Sequence, residues 1–124
     1  MERLTDLPNI GRKLAENLEK IEDSIFSGCE NLQTVTMPKQ LKEIGNAAFY
    51  GCTSLSGPLV LPDSVEVIEG DAFKGCSGLT CIRAGEGLQF FGPDAAPDSA
   101  RLTAYTDRTL EILVRSTDRM GESL

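Results

Sequence analysis

Reactive chemistry in this chain of 124 residues would have to come from its four cysteines and its acidic groups, because it contains no histidine. Imidazole is the commonest general base and metal ligand near neutral pH. Without it, neither a Ser/His nor a Cys/His nucleophile pair can be assembled. Cys29, Cys52 and Cys76 stand 23 and 24 residues apart. Structural zinc asks instead for two close pairs of ligands. Cys76 and Cys81 are the nearest pair and have no partner pair. The spaced cysteines therefore read as small buried hydrophobes in an inward column. A disulfide between neighbouring repeats stays open as an alternative, because stacked strands lie ~4.8 Å apart and bridged Cα atoms ~4.4–6.8 Å apart. Cys81 reads as an outward thiol with only Arg83 nearby to lower its pKa, so reactivity is not expected. Asp63, Glu66, Glu69 and Asp71 are scattered along the chain and read as a solvated rim, not a calcium site. Gly85-Glu86-Gly87 with Gly92 is a loop and lacks the spacing of a dinucleotide fingerprint. No catalytic residue, cofactor or metal is expected, and the chain does not read as an enzyme.

The elements that carry these residues recur. From Ile21 the template is I-x4-F-x2-C-x2-L followed by a short extended run. It reads Ile21, Phe26, Cys29, Leu32, Val35, Met37, Pro38 and then Ile44, Phe49, Cys52, Leu55, Leu59, Leu61, Pro62. The third copy is Ile68, Phe73, Cys76, Leu79, Ile82, Ala84, and the fourth decays to Phe91, Ala96, Ser99, Leu102, Tyr105. A period of this length means stacked supersecondary units, each unable to bury its apolar face alone. The expected fold is a β-solenoid of short parallel strands, about 3–4 coils of 23–24 residues. Phe26, Phe49 and Phe73 form one inward spine, Leu32, Leu55 and Leu79 a second, and Val35, Leu59, Ile82 and Tyr105 a third. Each buried Phe or Leu contributes about 1.5–3 kcal/mol. Gly28, Gly51 and Gly75 precede the repeat cysteines at corners where a tight bend costs little, and Pro38 and Pro62 close strands.

Residues 1–22 differ. Leu7, Ile10, Leu14, Leu18 and Ile21 recur at three- and four-residue spacing, which predicts an amphipathic helix. Pro8 suits its first turn, behind Thr5 or Asp6 as a cap. This segment is expected to form an N-terminal α-helical cap, followed by a repeat solenoid over 23–113 with a degenerate last coil. A capping element after Leu110 and a polar C-terminal tail over 114–124 complete the expected division. The formal charge of −7 argues against a phosphate-binding surface covering the molecule. No apolar run approaches the ~18 residues of a membrane span.

Two resemblances follow from these motifs. Ile44-Gly45-Asn46-Ala47-Ala48-Phe49-Tyr50-Gly51-Cys52-Thr53-Ser54-Leu55 and Leu61-Pro62-Asp63-Ser64-Val65-Glu66-Val67-Ile68 resemble the BspA-like type of leucine-rich repeat. The resemblance spans about residues 22–92 well and 93–113 poorly. It implies a right-handed solenoid without catalysis, acting in adhesion or protein–protein contact. The opening Met1-Glu2-Arg3-Leu4-Thr5-Asp6 has no apolar run of a secretory leader. The chain as written is thus expected inside the cell, and at the surface or secreted if it is part of a longer family member.

The segment from Leu4 to Leu18 is similar to a helix-hairpin-helix, especially the start of the C-terminal domain of TfoX-like competence regulators. That similarity implies a Leu7-Pro8-Asn9-Ile10-Gly11 turn whose backbone N–H groups hold a nucleic-acid phosphate. Asn9 and Gly11 would be the donors, with Arg12 and Lys13 as nearby cations. Residues 1–22 hold four basic and five acidic side chains, which weakens such a footprint.

The principal expectation is a non-catalytic protein–protein interaction module. Its binding surface is expected on the outward strand positions, a continuous ladder of Thr34 and Thr36, Pro58 and Val60, Cys81 and Arg83, Ala104 and Thr106. Tyr, Trp and Arg dominate interface energetics, so this mostly small and uncharged ladder implies weak single-copy affinity. The alternatives are a nucleic-acid-binding protein using the hairpin turn, and a structural fragment of a longer repeat protein. The last would self-associate through an uncovered terminal coil.

Overall fold

The structure, a computed structural model, describes residues 11–13, 18–117 and 121–123. In chain order the elements are β1 (Gly11–Lys13), β2 (Lys20–Ile21), β3 (Thr34–Thr36), β4 (Glu43–Ile44), β5 (Gly57–Val60) and β6 (Val67–Ile68). They continue with β7 (Leu79–Ala84), β8 (Phe90–Phe91), β9 (Arg101–Ala104), α1 (Asp107–Thr117) and β10 (Gly121–Ser123). Among the described residues every strand pairing is parallel. The architecture is a β-solenoid of about four turns, as the repeat period requires.

The residue that opens each repeat builds one side of the solenoid. Ile21, Ile44, Ile68 and Phe91 stand in register in the sheet β2-β4-β6-β8. Between this sheet and the other side lies the core. Phe26, Phe49 and Phe73 are buried there and stack with centroids 5.2 Å apart at each step. Beside them the Cys52 thiol donates to the Phe26 carbonyl at 3.1 Å, and the Cys76 thiol to the Phe49 carbonyl at 3.0 Å. All four cysteines are free thiols, so the inter-coil disulfide is not formed. The corners turn through left-handed residues: Ala47 (φ 54°) and Gly51 (φ 72°) in one coil, Asp71 (φ 59°) and Gly75 (φ 80°) in the next. Gly87 has a different reason. A Cβ there would fall on the Asp63 carbonyl oxygen of the preceding coil, so the Gly85-Glu86-Gly87 loop is a close stacking contact.

The expected N-terminal α-helical cap is not supported: among its described residues, β1 and β2 are strands of the solenoid, and residues 1–10 and 14–17 lie outside the described residues. β1 pairs with β3 in the register Gly11↔Thr34, Arg12↔Val35, Lys13↔Thr36, and β2 pairs with β4. The physical reason lies in the spacing that suggested a helix. Leu14, Leu18 and Ile21 are spaced like Met37, Leu41 and Ile44, and like Leu61, Val65 and Ile68. Leu41, Ile44, Leu61, Val65 and Ile68 are all buried in coils. One coil corner of this fold thus has the same apolar spacing as two turns of helix.

At the other end α1 closes the solenoid. Leu113 is fully buried, and Leu110 and Ile112 pack against the core. Thr106 caps the helix, its Oγ1 accepting the Thr109 N–H at 3.3 Å, as an N-cap threonine does. The expected division between 113 and 114 falls inside this helix, and residues 121–123 of the expected tail form β10, paired with β9. Among the described residues no helix is long and apolar enough to cross a membrane.

Candidate interaction face

A strand exposes alternate side chains, so strand register decides which residues share the outer face. Two rows result on β5, β7 and β9. The first is Pro58↔Cys81↔Arg101, and the second is Val60↔Arg83↔Thr103, which the register extends to Glu122 on β10. Between the rows lies the buried column Leu59↔Ile82↔Leu102. Tyr105, just past β9, follows the alternation of Arg101 and Thr103 and is 50% exposed, whereas Thr103 itself is buried at 1%.

This register corrects the fourth repeat. Leu102, not Tyr105, occupies the inward column beside Ile82. The two positions are an odd number of residues apart, so the reassignment exchanges inner and outer faces. Ala104 is therefore buried, and Thr106 is removed from the ladder to serve as the helix cap. The cause is a shortened repeat: by sequence spacing Ser99 follows the cysteine column, but its hydroxyl donates to the Leu79 carbonyl of the preceding coil at 2.8 Å, whereas the cysteine thiols donate to phenylalanine carbonyls.

The ladder is also discontinuous. Thr34 and Thr36 are exposed as expected, but they lie on the two-stranded sheet β1-β3, separate from β5-β7-β9-β10. The Ser56 N–H reaches the Gln33 carbonyl at 3.3 Å, whereas the Leu61 N–H points the other way, to Arg83. Donors alternate sides along a strand, so position 58 should donate toward β3. Pro58 has no N–H to give, and a register irregularity falls between Gly57 and Pro58.

What the fold gathers instead is a compact group around Arg83. Its Nη1 donates to the Tyr105 hydroxyl at 3.3 Å, and its guanidinium carbon lies 5.5 Å from the Tyr105 ring centroid, in cation–π range. Arg83 Nε is buried and has no hydrogen-bond partner. Val60, 54% exposed, flanks the group on β5. Cys81 Sγ lies 3.5 Å from Thr103 Oγ1 on the adjacent strand. Of the expected partner-binding residues, the structure thus brings Val60 and Arg83 together and leaves Thr34, Thr36 and Thr106 elsewhere. Sequence reasoning missed Tyr105, which strict alternation from Leu102 would have found.

Other expected chemistry stays dispersed. Among the described residues no group of three metal-ligating side chains converges. Cys52 is fully buried, and its thiol is pushed up first by its hydrogen bond with Cys76 and then by burial, which keeps it protonated. Of the hairpin residues, Asn9 lies outside the described residues, and Gly11, Arg12 and Lys13 form a strand. A phosphate-binding turn needs a helix N-terminus there, and the parallel pairing with β3 takes its place. A concavity of about 480 Å³ opens where Ala96 interrupts the phenylalanine column, lined by Tyr50, Lys74, Asp94, Pro97 and Ser99 among others.

A family model for the BspA type leucine rich repeat region, six copies long, matches residues 5–106. The chain belongs to that family. The match begins inside the segment expected to be a separate cap, in agreement with the pairing of β1 and β2 into the solenoid. No curated protein matches the chain.

Proposed function

We propose that this chain is a non-catalytic protein-interaction module that binds through the outer face of β5, β7 and β9. The observation that carries this reading is the Arg83–Tyr105 pair beside exposed Val60, held on paired strands above a fully packed core. Arginine and tyrosine are the residue types that dominate interface energetics, and their placement on a stacked sheet lowers the ordering cost of binding. Leucine-rich repeat proteins commonly present such faces to other proteins, and parallel coils hold the side-chain rows at fixed spacing. The non-catalytic part of the reading rests on the lack of histidine and of any paired nucleophile and base.

Site-specific photocrosslinking tests it. A benzoylphenylalanine is placed at Val60, or as a control at exposed Glu30, in protein expressed in its own host. Discrete crosslinked species from position 60 that weaken when Arg83→Glu is added are expected. Equal products from both positions, or none from position 60, would remove the outer face as the binding surface.

A further inference from the structure

The chain carries 19 acidic against 12 basic residues, yet the outer rows of β5, β7 and β9 contain Arg83 and Arg101 and no carboxylate. The acidic position nearest in register is Glu122, at the β10 edge beside Thr103 and away from β5. The strand positions of these rows thus carry cationic and not anionic side chains, in a chain that is acidic overall. Complementary potentials select partners and fix their orientation. Arg83 adds a chemical preference. Its guanidinium is a planar fork suited to a carboxylate, and in the free protein the Tyr105 hydroxyl is a neutral acceptor for its Nη1. Its Nε is buried without an acceptor, so a carboxylate from outside meets the guanidinium at its Nη groups. Val60 and the Tyr105 ring supply apolar surface on either side of the charge.

We infer that the partner is an acidic peptide segment of another protein. It lies across β5, β7 and β9 with a carboxylate on Arg83 and apolar side chains against Val60 and Tyr105. The carboxylate replaces the weak neutral contact at Tyr105 with a charge-assisted one, and Tyr105 turns outward to cover the ligand. This inference rests on the interaction reading above and narrows it to one class of partner.

The chain has two tyrosines and no tryptophan, so Tyr50→Phe leaves Tyr105 as the sole fluorescent reporter. The probes are 12-residue peptides of alternating glutamate and leucine, glutamine and leucine, or lysine and leucine, with a short DNA duplex as a second polyanion. The glutamate peptide is expected to bind at least tenfold more tightly than the glutamine peptide at low salt, and to change Tyr105 emission. Arg83→Gln should weaken it at least fivefold. Val60→Asp, at an exposed position that leaves the fold intact, should weaken the glutamate peptide and strengthen the lysine peptide.

Equal binding of glutamate and glutamine peptides overturns the inference, and so does indifference to Val60→Asp. Preference for the duplex, or no binding by any peptide, also overturns it. If the glutamine peptide binds equally well and Arg83→Gln still weakens it, the acidic class falls while the interaction face stands. Loss of the position-60 crosslinks would remove both.

Discussion

Replacing Phe49 by alanine strikes the middle of the three-ring stack. Phe49 has 0% exposure, and the Phe26 and Phe73 centroids lie 5.2 Å to either side at interplanar angles of 14° and 3°. Truncating a buried phenylalanine costs about 3–5 kcal/mol through lost transfer energy and the cavity left behind. Each aromatic pair adds about 0.5–1.5 kcal/mol beyond area burial. Part of that is already inside the truncation range, so about 4–5 kcal/mol is expected. Domains of this size are stable by only ~5–15 kcal/mol, so the variant should be near the limit of folding. Phe91 is equally buried and lies outside that stack, so Phe91→Ala should cost about 1 kcal/mol less. The assay is urea unfolding followed by far-UV circular dichroism. A double-mutant cycle of Phe26→Leu with Phe49→Leu should give a coupling of about 1 kcal/mol. The same cycle with Phe91→Leu in place of Phe26→Leu should give a coupling near zero. A loss below ~2 kcal/mol for Phe49→Ala, or equal couplings in the two cycles, would refute the view that the stacked rings act as one column.

Thr106→Ala should lower stability by about 1 kcal/mol through loss of the α1 cap, and Thr106→Ser should restore most of it. Equal unfolding midpoints for all three proteins would show that the cap hydroxyl contributes nothing. In a native thiol titration with an aromatic disulfide reagent, Cys81 should react first, because it is half-buried while Cys29, Cys52 and Cys76 are buried. Cys81→Ser should abolish the fast phase, and its persistence would mean that the core column opens on the timescale of the reagent. The raised pKa of Cys52 carries a stability consequence of definite sign. The folded state favours the protonated thiol, so this contribution is full below the ordinary thiol range and fades as pH rises through and above it. Cys52→Ala should therefore show a smaller alkaline loss of stability than the parent chain, and identical pH profiles would refute that assignment.

The columns at Ile21/Ile44/Ile68, Phe26/Phe49/Phe73 and Cys29/Cys52/Cys76 were legible in the chain because in-phase repetition has one inexpensive solution, a stack that buries each position on its equivalent. Where phase was kept, the expected inner and outer assignments match the structure. Val60 and Arg83 point outward, and Leu59 and Ile82 are buried. Where phase was broken, sequence alone misassigned faces. The shortened fourth repeat moved Leu102 into the inner column and Tyr105 out of it.

The sequence by itself determined the repeat period, the parallel stacking and the composition of the core, because these depend on apolar residues recurring at equivalent positions. Only the tertiary structure decided the N-terminal coil, the break between β3 and β5, and the meeting of Arg83 with Tyr105. The spacing of Leu14, Leu18 and Ile21 suits a helix and a coil corner equally well, so the sequence could not foresee that β1 and β2 pair with β3 and β4. A missing N–H at Pro58 matters only once it is known which neighbour that position faces. Arg83 and Tyr105 are 22 residues apart in the chain, and they become neighbours through a register set by the buried column beneath them.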